Sequence, residues 1–225
     1  MSNLAEEIKY TYKDYLRWDG KVRYELIDGV AYAMAAPSRL HQKISGELFR
    51  QLSNFLRGKP CEVYHAPFAV RLNFDSFDDK VVEPDILVVC DESKFDARSV
   101  KGAPDFIIEI LSPYNIKHDT VIKFRQYQKA GVKEYWIVDP QYKTVEVYIL
   151  KDGKYGVGNI YRDNDIIHVH TLKGCQINLA DVFYDTIESE FDENESIIKQ
   201  RIIEAMKENG LYNEQIEKII NSIEN

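Results

Sequence analysis

The hydrophobic positions of the chain follow a helical period in two segments. A long helix is predicted after Ser38, which is a common N-cap residue, and it should end at Gly58-Lys59-Pro60. A second helix is predicted over residues 119–130, closed by Gly131. In the long helix, apolar side chains recur on one face: Leu40, Ile44, Leu48, Leu52 and Phe55.

Other segments have the period or the composition of strands. Residues 22–34 predict a hairpin that turns at Asp28-Gly29. Residues 81–90 and 105–111 are apolar on both faces, which is typical of central strands that are covered on each side. Further strands are predicted over residues 61–72, with Pro67 at an edge or bulge, 134–138, 144–150, 155–161, 165–168 and 175–179.

The length of 225 residues suits one large domain with an appendage, and we place the boundary between residues 187 and 188. The appendage shows two helical patterns separated by Asn209-Gly210, and it holds ten acidic and four basic residues. Much of the net charge of −8 therefore lies in this tail, and the main domain is close to neutral. Two interpretations stay open, a helical hairpin packed on its own domain or a partner subunit, and a helix-turn-helix-like DNA reader. The first is favoured because the second helix carries only Lys218 as a base.

Composition favours a soluble, cytoplasmic protein without a membrane segment. No apolar run approaches the roughly 20 residues that span a bilayer, and the N-terminus lacks the pattern of a signal peptide. The three cysteines, Cys61, Cys90 and Cys175, are scattered and form no CxxC motif. We therefore expect reduced thiols, with neither a zinc site nor a disulfide framework.

Two acids stand where central strands normally carry Val or Ile. Asp85 lies in VVEPDILVV and Glu109 in DFIIEIL. If these strands are neighbours, alternation of side chains allows the two carboxylates to converge, and carboxylates with a backbone carbonyl and waters suit Mg²⁺. The alternative is that each acid forms a structural ion pair with a nearby Lys or Arg. Spacing alone supports both interpretations equally.

The second helix favours the metal site. Asp119, Lys123 and Tyr127 are spaced by four residues and share one helical face, from which Lys123 can reach the carboxylates. A lysine there can orient a water or stabilise charge on a phosphoryl group. The alternative is an ordinary Asp–Lys surface pair worth about 0.3–0.5 kcal/mol.

Several motifs together resemble one family. The runs VEPDILVV, PDFIIEILSP and AGVKEYWIVDP, with Asp119, Lys123 and Tyr127, are similar to the Uma-type family of restriction-endonuclease-like proteins, within the PD-(D/E)XK nuclease superfamily. Residues 24–45, YELIDGVAYAMAAPSRLHQKIS, are similar too. The resemblance runs from about residue 11 to residue 183, so it leaves out the acidic tail. The run GVKEYWIVDP is its most specific part.

The resemblance implies an α/β fold with a restriction-endonuclease-like core, a mixed central sheet flanked by helices, and extra β-hairpins. To these the sequence adds a C-terminal helical hairpin. The resemblance implies Asp85 and Glu109 as metal ligands, with the backbone carbonyl of Ile110 as a third, and Mg²⁺ as the cofactor, with Mn²⁺ as an alternative. The implied activity is that of an endonuclease that hydrolyses phosphodiester bonds in DNA through a metal-activated water.

The chain departs from the superfamily motif at one position. The lysine two residues after the glutamate is replaced by Leu111, which cannot donate to a phosphate, and Lys123 is the expected substitute. Two weaker catalytic candidates are Glu25, as an extra carboxylate, and His41 in the first turn of the long helix. Their alternatives are an ion pair at the end of the hairpin for Glu25 and a local helix-end hydrogen bond for His41.

Three functions compete on this evidence. The first is the metal-dependent endonuclease, for which DNA is the expected partner and a homodimer or higher homo-oligomer the expected assembly. The second is a catalytically inactive nuclease fold that serves as a nucleic-acid-binding or assembly module, which Leu111 and the acidic balance favour. The third is a scaffold whose tail drives oligomerisation. Fold alone does not decide among them.

Overall fold

The computed structural model describes residues 8–18, 20–74, 77–112 and 118–184. All of these residues fall within one compact unit, Met1–Tyr184. The predicted helical hairpin of the tail lies outside the described residues, and the predicted boundary at residue 187 stays a prediction. Within the described part, the chain forms no helix that is long and apolar enough to cross a membrane.

The described residues form short helices, one long helix and fourteen strands. The helices are α1 (Tyr12–Tyr15), α2 (Arg39–Leu56), α3 (Phe124–Ala130) and α4 (Leu179–Val182). A 3₁₀ turn covers Glu92–Lys94, and a π-helical segment, His118–Lys123, leads directly into α3. The strands are β1 (Tyr24–Ile27), β2 (Val30–Ala33), β3 (Glu62–His65), β4 (Ala69–Arg71), β5 (Val81–Val82), β6 (Ile86–Val89), β7 (Ser99–Lys101), β8 (Phe106–Ile110), β9 (Glu134–Asp139), β10 (Thr144–Lys151), β11 (Lys154–Tyr155), β12 (Asn159–Arg162), β13 (Ile166–His168) and β14 (Gln176–Asn178).

The main sheet has seven strands in the order β11-β10-β9-β8-β6-β3, with β12 also paired to β10. Strands β8 and β9 run parallel, whereas β6 pairs with β8 in antiparallel register, so the predicted mixed central sheet is confirmed. A smaller sheet has the order β2-β1-β5-β4-β7, and β13 pairs with β14 alone. The predicted hairpin at Asp28-Gly29 is confirmed by the pairing of β1 with β2.

Strands β8 and β9 form the centre of the main sheet because most of their side chains on both faces are apolar. All five residues of β8 are buried. Helix α2 contacts β8, while Tyr127 of α3 belongs to the same buried cluster as Ile107 and Tyr135. The buried residues of α2 are Leu40, Ile44, Leu48, Leu52 and Leu56, so Leu56 takes the position predicted for Phe55. Residues three and four positions after Leu52 both lie near the apolar face of the helix, and of these Phe55 is half-buried and Leu56 is buried.

Two segments that were predicted as single strands are each divided between the two sheets. Residues 61–72 form β3 in the main sheet and β4 in the smaller one, and the cis peptide Ala66-Pro67 lies between them. Residues 81–90 form β5 in the smaller sheet and β6 in the main one, interrupted around Pro84. A proline has no N–H for a ladder, so both segments end their pairing there. As a result Asp85 stands at the entrance to β6 and not in its middle.

The expectation of reduced thiols is wrong for Cys61 and Cys90, which form a disulfide. Strands β3 and β6 are antiparallel with Glu62 opposite Val89, and the next pair along the register is Cys61 and Cys90. The sequence showed two distant cysteines, and only the strand pairing makes them neighbours. Cys175 is a free, buried thiol, as predicted.

We expect the double substitution of Cys61 and Cys90 by Ser to lower the free energy of unfolding by about 3–4 kcal/mol, because the bond closes a loop of 29 residues in the unfolded chain. Urea titration of both proteins, with and without a reductant, measures this difference. The double variant should be insensitive to the reductant. If the reductant leaves the wild type equally stable, the disulfide contributes nothing.

Candidate active site

Asp85 and Glu109 lie side by side because their strands are neighbours. Ile86 is opposite Ile108 in the β6–β8 register, which places Asp85 opposite Glu109. Oδ2 of Asp85 accepts a hydrogen bond from the Ile110 N–H at 2.8 Å and lies 3.1 Å from Nε2 of His41. Oδ1 has no hydrogen bond to any residue that the structure describes. One oxygen of Asp85 is therefore fixed by the protein, and the other is available to a ligand.

Glu109 is held in the same way, by one of its two oxygens. Oε1 accepts from the Lys123 amino group at 2.9 Å and from the Tyr127 hydroxyl at 2.5 Å. Oε2 makes no hydrogen bond within the described ranges. Two adjacent carboxylates thus each keep a spare oxygen, although both are oriented by hydrogen bonds.

Lys123 contacts three carboxylates at once. Its Nζ lies 2.9 Å from Glu25, 2.9 Å from Glu109 and 3.4 Å from Asp119. Asp119 and Lys123 are 4% and 3% exposed, so the interpretation as an ordinary surface pair is wrong. The predicted face of Asp119, Lys123 and Tyr127 is present, although its first turn is π-helical. The reach of Lys123 to the carboxylates is observed, and its catalytic role stays a prediction.

Glu25 also belongs to this cluster. It is only 2% exposed, and its Oε1 accepts from the Glu83 N–H at 2.9 Å. Its Oε2 lies 3.1 Å from Nε2 of His118. Glu25 therefore sits in the interior beside Lys123, whereas the alternative from the sequence was an ion pair at the end of the hairpin. Its contacts leave a catalytic role for Glu25 untested.

The cluster has more acidic than basic groups, because the single ammonium group of Lys123 contacts three carboxylates. Burial raises the pKa of Glu109 well above its ordinary value, Lys123 opposes this, and the nearby charges of Asp119 and Asp85 add to it. Burial would also raise the pKa of Glu25, but Lys123 and His118 outweigh it and lower that pKa. Burial would lower the pKa of Lys123, yet the carboxylates raise it well above its ordinary value. The surroundings therefore favour the charged form of Lys123 and the protonated form of Glu109.

A cleft of about 80 Å³ opens onto these side chains. Asp85, Glu109, Lys123 and His41 line it together with Ser112. Two buried polar atoms in its wall, Nδ1 of His41 and Oγ of Ser112, have no hydrogen-bond partner among the described residues. Buried polar atoms are normally paired, so both indicate a place for a water or a ligand group.

The His41 ring is directed at Asp85, which removes the alternative of a purely local bond for this side chain. Its backbone N–H does donate to the N-cap Ser38, at 3.1 Å, but its Nε2 lies against the carboxylate of Asp85. Helix α2 therefore brings His41 into the site across a separation of 44 residues. Whether His41 takes part in chemistry stays a prediction.

The residues at the cleft fit a divalent cation with few protein ligands. The described residues contain no group of three His, Cys, Asp or Glu side chains arranged around one point. The spare oxygens of Asp85 and Glu109 are two hard donors. The backbone of Ile110 adds a third, since the N–H and C=O of one strand residue point to the same side and its N–H faces Asp85. Mg²⁺ commonly binds through one or two carboxylates and completes its shell with water and phosphate oxygens.

Sequence reasoning missed several residues that line or support the site. Arg23 lines the cleft, and its Nε donates to Glu83 at 2.9 Å. His118 contacts Glu25, and Ser112 contributes a hydroxyl that has no hydrogen-bond partner in the part of the chain that the structure describes. None of these residues has a periodic position that separates it from surface polar residues. All three are half-buried, and they reach the site through the packing of distant segments, which is not visible in a single sequence.

Fold and site together define a class of protein, a restriction-endonuclease-like α/β protein with an acidic cleft at the end of its central strands. The Uma2 family model, described as "Putative restriction endonuclease", matches residues 12–180. This match covers most of the chain, and the chain therefore belongs to the Uma2 family. Membership supports a nuclease as its class.

Two further proteins are similar to this chain. The uncharacterized protein slr1290 of Synechocystis sp. is 28% identical over 182 residues, which cover 78% of this chain and 92% of that protein. A crystal structure described as a putative nuclease belonging to DUF820, from Anabaena variabilis, superposes with a TM-score of 0.64 at 19% identity. The superposition covers 79% of this chain and 99% of the other. It confirms the fold predicted from the sequence.

Proposed function

We propose that this protein is a metal-dependent endonuclease that hydrolyses phosphodiester bonds in DNA. The observation that carries the proposal is the pair Asp85 and Glu109, each anchored through one oxygen and open through the other, in one cleft beside Lys123. In a purely structural ion-pair cluster we would expect these two adjacent carboxylate oxygens to be paired, yet neither has a partner among the described residues.

Asp85, Glu109 and the carbonyl of Ile110 are the residues that would hold Mg²⁺, with Mn²⁺ as the alternative. The bound cation would lower the pKa of a water and neutralise charge on the scissile phosphate. The hydrogen bonds from the Ile110 N–H and Tyr127 hydroxyl fix the carboxylates in advance, which reduces the reorganisation that binding needs.

Lys123 takes the role of the superfamily lysine, whose usual position two residues after the glutamate is occupied by Leu111. Leu111 packs against the apolar cluster beneath α3, so its side chain adds no charge to the cleft. Lys123 remains protonated because its carboxylate neighbours raise its pKa, and it lines the cleft. Its positive charge can therefore orient Glu109 and attract the phosphate of a substrate. Nδ1 of His41, which has no hydrogen-bond partner among the described residues, would exchange a proton with a group bound in the cleft.

A cleavage and metal-binding experiment tests the proposal. Purified protein is incubated with plasmid DNA and Mg²⁺ or Mn²⁺, with EDTA as the metal-free control. We expect cleavage that stops on addition of EDTA. In calorimetry, Asp85→Asn should bind Mn²⁺ at least about 10–100-fold more weakly, because that loss is typical for an outer-shell partner and Asp85 is proposed as a charged ligand itself. Asp165→Asn, at a turn remote from the cleft lining, is the matched control and should behave as the wild type. Equal metal binding by all three proteins would contradict the metal site.

One observation favours a second candidate, an inactive nuclease fold that binds nucleic acid or serves assembly. The Lys123 ammonium already contacts Glu25, Glu109 and Asp119, so the cluster is partly neutralised without a metal. This candidate predicts neither Mn²⁺ binding nor cleavage of any nucleic acid. The experiment above therefore separates the two.

The cytoplasmic location and the homo-oligomeric state belong to the proposal as well. Cell fractionation and sedimentation of the full chain test them directly. A shortened chain that ends near residue 183 would show whether the tail contributes to assembly, since its mass in solution should then fall by more than the deleted residues.

A further inference from the structure

The segment of residues 9–24, KYTYKDYLRWDGKVRY, alternates aromatic and basic residues. It holds five bases against two acids, although the whole chain has a net charge of −8. This local excess of positive charge is combined with five aromatic side chains. Basic grooves with aromatic side chains are the common means by which proteins hold single nucleic-acid strands.

The structure gathers part of this segment around an open hollow. The Trp18 ring lies 4.9 Å from the Tyr24 ring and 5.5 Å from the Tyr10 ring, measured between centroids. These three rings, with Arg17 and Ala31, line a cavity of about 420 Å³. Such a volume lies in the range of ligand pockets. Trp18 is only partly buried and Arg17 is exposed, so an aromatic face and a cation are both available.

This aromatic hollow is joined to the catalytic cleft through Glu83. The Tyr15 hydroxyl donates to Oε1 of Glu83 at 2.5 Å, and Tyr15 packs against Trp18 with 5.6 Å between centroids. Arg23, which lines the cleft, donates to Oε2 of the same carboxylate. Glu83 also lines the cleft. One side chain, that of Tyr15, therefore links Glu83 in the wall of the cleft to Trp18 in the wall of the hollow.

We propose that the hollow at Trp18 and Tyr24 binds an unpaired base of the DNA strand that the cleft cleaves. The inference rests on the proposed function, because it specifies that the DNA strand cleaved at this site carries an unpaired base. A base would stack on the exposed aromatic face, and Arg17 would meet the adjoining phosphate. The base must be unpaired because in a duplex both of its faces are covered by neighbouring bases.

The intrinsic fluorescence of the protein gives a direct readout. The chain has two tryptophans, and Trp136 is fully buried and donates to Glu134, so quenching by added DNA reports on Trp18. With oligodeoxythymidylate and no divalent metal, we expect saturable quenching. A duplex of the same length should quench only weakly. Absence of quenching, or equal quenching by the duplex, would overturn the inference.

Substitutions then test whether the hollow binds the base. The affinity of each variant for a labelled oligodeoxythymidylate is measured by fluorescence anisotropy. Trp18→Ala should weaken binding about 10–100-fold, and Trp18→Tyr should restore most of it, since stacking tolerates any aromatic ring. Arg17→Glu, an exposed substitution, should also weaken binding. Tyr142→Ala is the control, because Tyr142 is equally aromatic, 72% exposed and outside the hollow. If Trp18→Ala or Arg17→Glu binds as the wild type does, the hollow is not the binding site.

Two further outcomes separate the inference from the proposed function. If cleavage depends on Asp85 but Trp18→Ala binds the oligonucleotide as tightly as the wild type does, only the role of the hollow is refuted. Binding that depends on Trp18 without cleavage under any metal would refute only the nuclease. An oligouridylate arm compares RNA with DNA at the same site, and tighter binding of the RNA would overturn the choice of DNA.

Discussion

Replacing Glu109 with Gln should reduce cleavage by about 10³-fold and at the same time raise the free energy of unfolding at neutral pH. The loss of activity follows from removing a charged ligand, because a bound cation contributes several kcal/mol to catalysis and each factor of ten in rate corresponds to about 1.4 kcal/mol. The gain in stability follows from burial. Glu109 is 2% exposed, and burial together with Asp119 and Asp85 disfavours its charged form.

The pH dependence of this effect has a definite sign. In the folded protein the pKa of Glu109 is raised well above 4.5, the value expected for the unfolded chain. Below pH 4.5 both states are protonated, and the group costs no stability. As the pH rises above 4.5 the unfolded state loses its proton first, so the wild type loses stability relative to Glu109→Gln. The difference between the two proteins should therefore grow from acid to neutral pH.

Urea denaturation of both proteins at pH 4.5 and pH 7 measures this difference. The glutamine retains an oxygen that can accept from Lys123 and Tyr127, so the geometry is preserved. Glu134→Gln is the matched control, because Glu134 is also a fully buried strand carboxylate but both of its oxygens accept hydrogen bonds, from Trp136, His170 and Thr171. This control should destabilise the protein and leave cleavage intact. A Glu109→Gln protein less stable than the wild type at pH 7 would contradict the argument.

Replacing Lys123 with Met should destabilise the protein by about 3–5 kcal/mol at neutral pH. Met keeps the length of the side chain and removes its charge, which leaves the carboxylates of Glu25, Glu109 and Asp119 buried without their shared cation. An uncompensated buried charge is costly because the interior solvates it poorly. Activity should be lost together with stability, since Glu109 loses one of its two orienting donors.

The loss caused by Lys123→Met should shrink at pH 4.5, where the carboxylates can be neutralised by protons. The measurement is urea denaturation at both pH values, with Lys129→Met as the control in the adjoining helix α3 but outside the carboxylate cluster. Lys123→Arg keeps the charge and should retain much of the stability. An equal loss at both pH values would mean that Lys123 stabilises the fold through packing of its side chain and not through its charge.

The sequence by itself determined the features that depend on short-range pattern. The position of Asp85 and Glu109 in two apolar runs and the four-residue spacing of Asp119, Lys123 and Tyr127 predicted that these residues meet in one site if the two strands are neighbours. Helix α2, the Asp28-Gly29 hairpin and the central strands also followed from periodicity. Such features are visible because neighbours within one helix or strand are fixed by local geometry.

Only the tertiary structure decided which distant residues meet. It moved β4 and β5 into a separate sheet, paired Cys61 with Cys90, and brought Glu25 and His118 together across a separation of 93 residues. It also showed that Asp119 and Lys123 form a buried ion pair and not a surface pair. The energy of a charged pair depends on its solvent exposure, and exposure is a property of the whole packed fold and not of any local segment.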